Sequence, residues 1–431
     1  MVIHKISNKV FELVRTGRSS GMFRTLSLDI LAKGTTFAFI PLFTTVMSKE
    51  EFGLFTYLYV IITLASVVFK LGMDTAYQKL FFDLDESSRP TLIFTTNSIW
   101  LAFFSFVFLS ALIFKWDLIL LHLLIDKPIA LNQIRLQFWL FILLDLSITT
   151  LSAFYLSRER FRKFQTFNFL KIVLSNVTAF ILISNFDGNK VAFRLGLESV
   201  IGLIVFAPLL FELFSQARLS FNRNLARRAI KIGIPLFGGA VATSIFLFSD
   251  RYFLQKYFGM ETLAVFNFCI LYSLPISLVL TSFNTIWLPK IFKQKNAKVN
   301  MDATRMATKK LGLTFVLIAF VFWIGLFFLL NFKLLNSEYQ LALWLFPIIA
   351  FAKIVETLTH LYINFLIIFE KTSFQFFLVI CLSTLTLLLN FFFTPIYGIW
   401  AAVIIVLVVS SARFGITMYL ARHLTNKEGN I

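Results

Sequence analysis

Apolar residues in this chain gather into runs of about twenty or more, set apart by short polar stretches. Residues 92–114, 311–330 and 374–393 each have roughly the length a helix needs to cross a hydrocarbon core. Read along the whole chain, the pattern predicts about twelve spanning helices, at 22–47, 52–80, 91–114, 132–157, 164–186, 193–216, 230–257, 262–288, 307–330, 339–369, 374–394 and 398–420. The expected fold class is an all-α polytopic membrane protein. Connections of no more than roughly twenty residues leave no room for a soluble catalytic domain, and no G-x-x-x-x-G-K-[ST] loop is present to bind ATP.

Composition agrees. With 58% hydrophobic and only 14% charged residues, the chain has more apolar surface than one globular core can hide. "MVIHKISNKVFELVRTG" lacks the unbroken apolar core of a signal peptide. Its Val2, Ile3, Ile6, Val10, Leu13 and Val14 fall near one helical face, so residues 1–21 read as a basic amphipathic segment on the membrane surface. Cys269 and Cys381 sit in apolar runs and carry no metal or disulfide signal.

The net charge of +18 is concentrated on one set of connections. Lys5, Lys9, Arg15, Arg18 and Arg24, then "RERFRK", "RLSFNRNLARRAIK" and "KIFKQKNAKVN", alternate with connections that hold few bases. By the Lys/Arg bias the basic set is cytoplasmic and both termini lie inside. Anionic headgroups of membrane lipids suffice as partners for it, and no nucleic acid is needed.

"KEEFGLFTYLYV" at 49–60 and "METLAVFNFCIL" at 260–271 align at an offset of about 210, Glu50 with Glu261 and Phe55 with Phe266. "RKFQTFNFLKIVLS" and "EKTSFQFFLVICLS" match at nearly the same offset. Six helices lie within it, so the two halves would share one orientation, as in two-lobed transporters whose site lies between the lobes. The expected division is a lobe at 22–216, a basic linker at 217–231, a second lobe at 232–421 and a tail at 422–431.

Several predicted spans carry charges that are costly in a membrane. They fall on polar stripes at steps of three and four, which puts each set on one helical face. Asp29, Lys33 and Thr36 form one stripe; Thr63, Ser66, Lys70 and Asp74 a second; Asp145, Thr149 and Ser152 a third. Asn168, Lys171, Ser175 and Thr178 make a fourth, and Lys353, Glu356, Thr357, His360 and Asn364 a fifth. Such helices face partner helices or a water-filled cavity. Asp29–Lys33 and Lys70–Asp74 are spaced to neutralise each other, while Lys171 has no acid one turn away. Glu198 and Arg413 lie near span ends and read as reaching for the headgroups.

"IPLFGGAVATSIFLFSDRYFLQKYFGMETLAVFNF" resembles the start of the second half in Wzx-type polysaccharide (O-antigen) flippases of the multidrug/oligosaccharidyl-lipid/polysaccharide (MOP) exporter superfamily. The matching features are Lys231, Pro235, Asp250-Arg251 and Gly259. Pro41, Glu51, Gly53, Gly72 and Asp74 match its opening helical pair, and "TPIYGIWAAVIIV" its last turn and helix. The resemblance covers about residues 22–420. It implies a V-shaped pair of six-helix lobes in a bacterial inner membrane, a monomer, and an undecaprenyl-pyrophosphate-linked oligosaccharide as substrate. That cargo would be turned from the cytoplasmic to the periplasmic leaflet for cell-surface polysaccharide (lipopolysaccharide, capsule) synthesis.

A diphosphate cannot cross hydrocarbon unaided, and a cleft lined by Lys33, Lys70, Lys171, Arg251 and Lys353 would attract it. Arg251 would face that cleft, held or released by Asp250. No cofactor or resident metal is expected, and any coupling is to an H⁺ or Na⁺ gradient, with Asp29, Asp74, Asp250, Glu356 and His360 as candidates. Docking of a polysaccharide polymerase or glycosyltransferase on the basic loops stays open. So do a multidrug exporter of the same superfamily and, from the Asp83-x-Asp85 spacing in "FFDLDE", a membrane glycosyltransferase.

Overall fold

The computed structural model describes residues 21–125, 131–293, 296–369 and 371–427, without the side chains of helical positions that include 21–27, 29, 235 and 288–290. The expected surface segment up to residue 20, the last four residues and the Asp29 side chain lie outside this set. Thirteen helices follow among the described residues: α1 (Gly21–Val46), α2 (Lys49–Lys70), α3 (Met73–Asp83), α4 (Arg89–Phe114), α5 (Trp116–Leu124), α6 (Leu131–Ser157), α7 (Phe161–Ile183), α8 (Lys190–Ser215), α9 (Arg223–Tyr272), α10 (Leu274–Lys293), α11 (Ala297–Asn331), α12 (Ala342–Ile368) and α13 (Thr372–Lys427). Nine candidate spans among the described residues are long and apolar enough to cross a membrane. The protein is an all-helical, multi-pass membrane protein.

Polar residues set the helix starts. Ser48 opens α2 with a reciprocal cap: its Oγ accepts from Glu51 N–H at 3.1 Å, and its own N–H donates to Glu51 Oε2 at 2.7 Å. Asn189, Asn222 and Asn296 cap α8, α9 and α11 with side-chain oxygens on free N–H groups of the first turn. The basic stretch read as a linker is partly helix, because the Asn222 cap starts α9 at Arg223.

Breaks fall where the backbone needs freedom. The span expected over 52–80 divides at Leu71-Gly72, both left-handed (φ 51° and 69°). A Cβ on Gly72 would collide with the backbone of Gly233, so glycine there permits both the turn and the approach of α9. Gly259 (φ 78°) breaks α9 and Gly398 (φ 61°) breaks α13. Each part of α13 still exceeds the ~20 residues of a bilayer crossing. Ser273 separates α9 from α10, ahead of Pro275, which cannot continue the helix ladder.

Helices α1 and α7, α6 and α8, and α2 and α6 pack in the first half, and α13 packs on α9 and α12 in the second. The halves join mainly where α9 lies along α2 and α3. At one end of that seam the two repeat-related segments meet each other. Thr56 Oγ1 accepts from Asn267 Nδ2 at 3.0 Å, and a Cβ on Gly53 would touch the Ala264 Cβ at 3.2 Å. Both pairs join residues offset by 211, so equivalent positions face one another as about a two-fold axis.

The connection "KWDLILLHLLIDKP", expected to be a simple loop, contains α5. Asp117 is buried, takes Arg135 Nε at 2.7 Å and Nη2 at 3.0 Å, and accepts from Trp139 Nε1 at 2.9 Å. Burial pushes its carboxyl up, but the hydrogen bonds from Arg135 and Trp139 outweigh that and hold it below its ordinary value. At the other end of α5 the Leu124 carbonyl accepts from Tyr57 Oη at 3.0 Å.

Candidate transport site

In the first half the polar stripes of α2, α6, α7 and α8 converge. Lys70 ends α2 and reaches Asp145 on α6 at 3.4 Å. The anticipated Lys70–Asp74 pair does not form, because the left-handed break at Leu71-Gly72 turns Asp74 onto α3. Asp74 instead lines a cavity of about 20 Å³ with Tyr77, Thr96, Asn97, Trp100 and Thr150, room for one water. Lys171 on α7, only 7% exposed, finds its acid on another helix: Glu198 of α8 lies 2.5 Å away. Glu198 is therefore an internal partner rather than a residue reaching for headgroups. Tyr59 stands within electrostatic reach of both Asp145 and Glu198 and still exposes 47% of its surface.

Arg194 was missed in the sequence. It lies one turn before Glu198 on α8, is 8% exposed, and holds its guanidinium 3.2 Å from the Phe43 ring centroid and 4.2 Å from that of Phe55. Its Nε and Nη1 have no hydrogen-bond partner among the described residues. The i,i+4 spacing of Lys190, Arg194 and Glu198 was the available signal. Lys33 is half-buried on α1.

In the second half, Asp250 and Arg251 are both buried in α9. Arg251 Nη1 lies 3.1 Å from Asp250 Oδ1, which also accepts the Arg251 N–H at 2.8 Å. The guanidinium carbon is 5.7 Å from the Phe266 ring, the repeat counterpart of Phe55. In this conformation Arg251 is enclosed by helices rather than open to a cleft. On α12, Lys353 Nζ pairs with Glu356 at 3.0 Å, and His360 follows one turn on. Arg413 of α13, read as a headgroup anchor, comes within electrostatic reach of Glu356 and His360. It also lines a small cavity with Thr243, Phe246 and Ser383. Asp83 of the Asp-x-Asp spacing lies 3.8 Å from Arg228 on α9, an ion pair at the basic face.

Each half thus sets three permanent cations against two carboxylates: Lys70, Lys171 and Arg194 with Asp145 and Glu198, and Arg251, Lys353 and Arg413 with Asp250 and Glu356. Cations paired between or along packed helices can exchange their carboxylate for another anion without a charge being left bare.

A multi-pass helical membrane protein with the fold of known transporters is the class this architecture defines. The structure is similar to that of the lipid II flippase MurJ in an inward closed conformation, with a TM-score of 0.67, 15% identity, and 92% of this chain and 87% of that one covered. It is also similar to an inward-facing multidrug resistance MATE family transporter of that superfamily (TM-score 0.63, 14% identity, coverage 93% and 95%). A MATE transporter of Vibrio cholerae matches with a TM-score of 0.58 at 12% identity, over 94% of this chain and 95% of that one. No curated protein matches the chain. Residues 20–295 match the family described as "Polysaccharide biosynthesis protein", a MOP-type flippase family, and the chain belongs to it.

Proposed function

We propose that this protein is a flippase for an undecaprenyl-diphosphate-linked oligosaccharide, carrying the repeat unit of a surface polysaccharide from the cytoplasmic to the periplasmic leaflet of a bacterial inner membrane. The observation that carries this reading is the surplus of cations over carboxylates inside each half, in a chain of a polysaccharide biosynthesis family. A diphosphate gains charge-assisted hydrogen bonds from Lys70, Lys171 and Arg194 that it loses on leaving water, while the polyprenyl tail stays in hydrocarbon.

In this reading about twelve spans form two lobes, 22–216 and 232–421, and rock in alternating access, with the basic face and both termini cytoplasmic. Lys33, Arg251 and Lys353 take part in cargo binding. Asp74, Asp250, Glu356 and His360, with Asp29, are the groups at which H⁺ or Na⁺ would couple. The protein acts as a monomer, and a polymerase or glycosyltransferase would meet it at the basic loops.

The test is flipping in liposomes of a labelled undecaprenyl-diphosphate oligosaccharide, with and without an ion gradient, for wild type, Lys70→Ala and Arg251→Ala. Movement in wild type that both substitutions abolish is expected. Transport of organic cations with no movement of the glycolipid would replace this reading with a multidrug exporter, and a change in glycan mass would replace it with an enzyme.

A further inference from the structure

On the face opposite the basic loops, where the halves meet, lies a polar groove of about 470 Å³. The end of α1 and the turn into α2 supply Thr44, Thr45 and Ser48, and the head of α8 supplies Lys190. The second half contributes Lys333 and Asn336 from the connection between α11 and α12. Two lysines on opposite halves therefore border one open space.

Their bonding leaves both free to bind. Lys190 Nζ donates one hydrogen bond, to the Val46 carbonyl at 2.8 Å, where the C-terminal end of α1 favours a cation. An ammonium has three donors, so two remain. Lys333 is exposed, held by a left-handed backbone (φ 56°), and no ion pair among the described residues involves Lys190, Lys333 or the neighbouring Glu338. Glu51, which stands nearby, is turned back on the Ser48 N–H.

Beneath the groove the same face of α8 continues inward. Arg194 lies one turn below Lys190 and Glu198, with Lys171, one turn below that. Arg194 keeps two guanidinium nitrogens unbonded at 8% exposure, an arrangement that is costly unless an acceptor visits. The face reads, from the mouth inward, cation, cation, ion pair.

From this arrangement we infer that the groove is an anion subsite for a phosphate or diphosphate group, which Lys190 and Lys333 bind together from opposite halves while this face is closed. The inference rests on the sidedness and cargo proposed above, and makes this groove the point where the diphosphate is met on the periplasmic side. An anion held by both lysines favours the closed arrangement by its differential affinity and removes the repulsion between them.

The test uses the full chain in discs of neutral lipid, with inorganic pyrophosphate as the probe and binding followed by calorimetry. Wild type is expected to bind. Lys190→Gln and Lys333→Gln are each expected to weaken binding by about tenfold or more, while Lys309→Gln on the basic face leaves it unchanged. Spin labels at Asn185→Cys and Ser337→Cys, one on each half, are expected to show a narrower and shorter distance distribution with pyrophosphate. No binding by wild type, binding that both glutamine variants keep, or an unchanged label distance would overturn the inference.

Replacing neutral lipid by phosphatidylglycerol separates the sources of phosphate. A fall in pyrophosphate affinity that Lys333→Gln abolishes assigns the groove to a headgroup, and an unchanged affinity assigns it to a diphosphate carried by the cargo. Pyrophosphate binding without glycolipid flipping would sink the transport reading and keep the groove. Flipping that neither glutamine variant alters, with no pyrophosphate bound, would do the reverse.

Discussion

Lys70 reaches Asp145 across 75 residues of chain and Lys171 reaches Glu198 across 27, each from one helix to another. In the second half Arg251 pairs with its neighbour Asp250, and Lys353 with Glu356 three residues on. The chemistry is the same, but the mechanics differ. A pair between helices fastens them, and separating the helices strips both charges. A pair along one helix travels with it, so α9 and α12 can change neighbours while their charges stay neutralised. The first half is accordingly expected to move as a rigid body, with rearrangement concentrated around α9, α12 and α13.

The largest effect should come from cutting a fastening. Glu198→Gln leaves Lys171 and Arg194 buried without their carboxylate and is expected to cost about 3–5 kcal/mol of stability, read as thermal unfolding in detergent. The exchanged pair Lys171→Glu with Glu198→Lys should recover part of that loss. Equal damage from Glu356→Gln would erase the contrast between the halves.

Next comes the seam. A Cβ on Gly53 would collide with the Met260 carbonyl, so Gly53→Val must push the halves apart at that end. An overpacking cost of about 1–3 kcal/mol is expected, and a cysteine at Thr56 should become reactive to a water-soluble thiol reagent. Continued protection of that cysteine would mean the contact is not what closes this end.

Glu356→Gln should disturb stability less than Glu198→Gln, by a margin of at least about 2 kcal/mol, yet abolish gradient-driven transport. Transport that survives would remove Glu356 from the coupling groups.

The smallest effect is local. Asp117 titrates below its ordinary value because Arg135 and Trp139 donate to its charged form. Its contribution is therefore complete above the unfolded carboxylate value of about 3.9 and is lost as pH falls through the lowered folded value. Trp116 fluorescence should report release of α5 only in that acid range, and Asp117→Asn should remove the pH dependence.

The same contrast explains what the sequence disclosed. Apolar run length disclosed an all-helical, multi-pass chain, because a bilayer crossing imposes it locally. The Asp250-Arg251 pair on α9 was legible for the same reason, since the two are neighbours on the chain, while the Lys353–Glu356 pair on α12 was read only as a polar stripe. The partner of Lys171 was not legible, because nothing near residue 171 encodes the register of α7 against α8. Lys70 looked paired with Asp74 until the left-handed turn at Leu71-Gly72 swung the two apart. At that turn Gly72 also lets Gly233, more than 150 residues away, pack against it. Arg194 escaped notice although Lys190, Arg194 and Glu198 share one helical face, because its ring partners, Phe43 and Phe55, come from two other helices. The two segments aligned in the sequence also lie against each other, Thr56 with Asn267 and Gly53 beside Ala264.

Tyr57 gives the seam a further property. Its ring stacks on Phe248 of α9 at 5.6 Å, and its hydroxyl grips the last carbonyl of α5. Gly53 lies one turn to one side of it, and Gly72 and Gly233 interlock four turns to the other. A helix clasped at two notches with an aromatic rivet between them has no free track to slide along. Sliding by one residue would break the stack, the hydrogen bond and both notches together. Rotation about the rivet breaks only the notch that swings outward. A seam of this build resists sliding more than rotation, so any motion between the halves is expected to be an angle rather than a length.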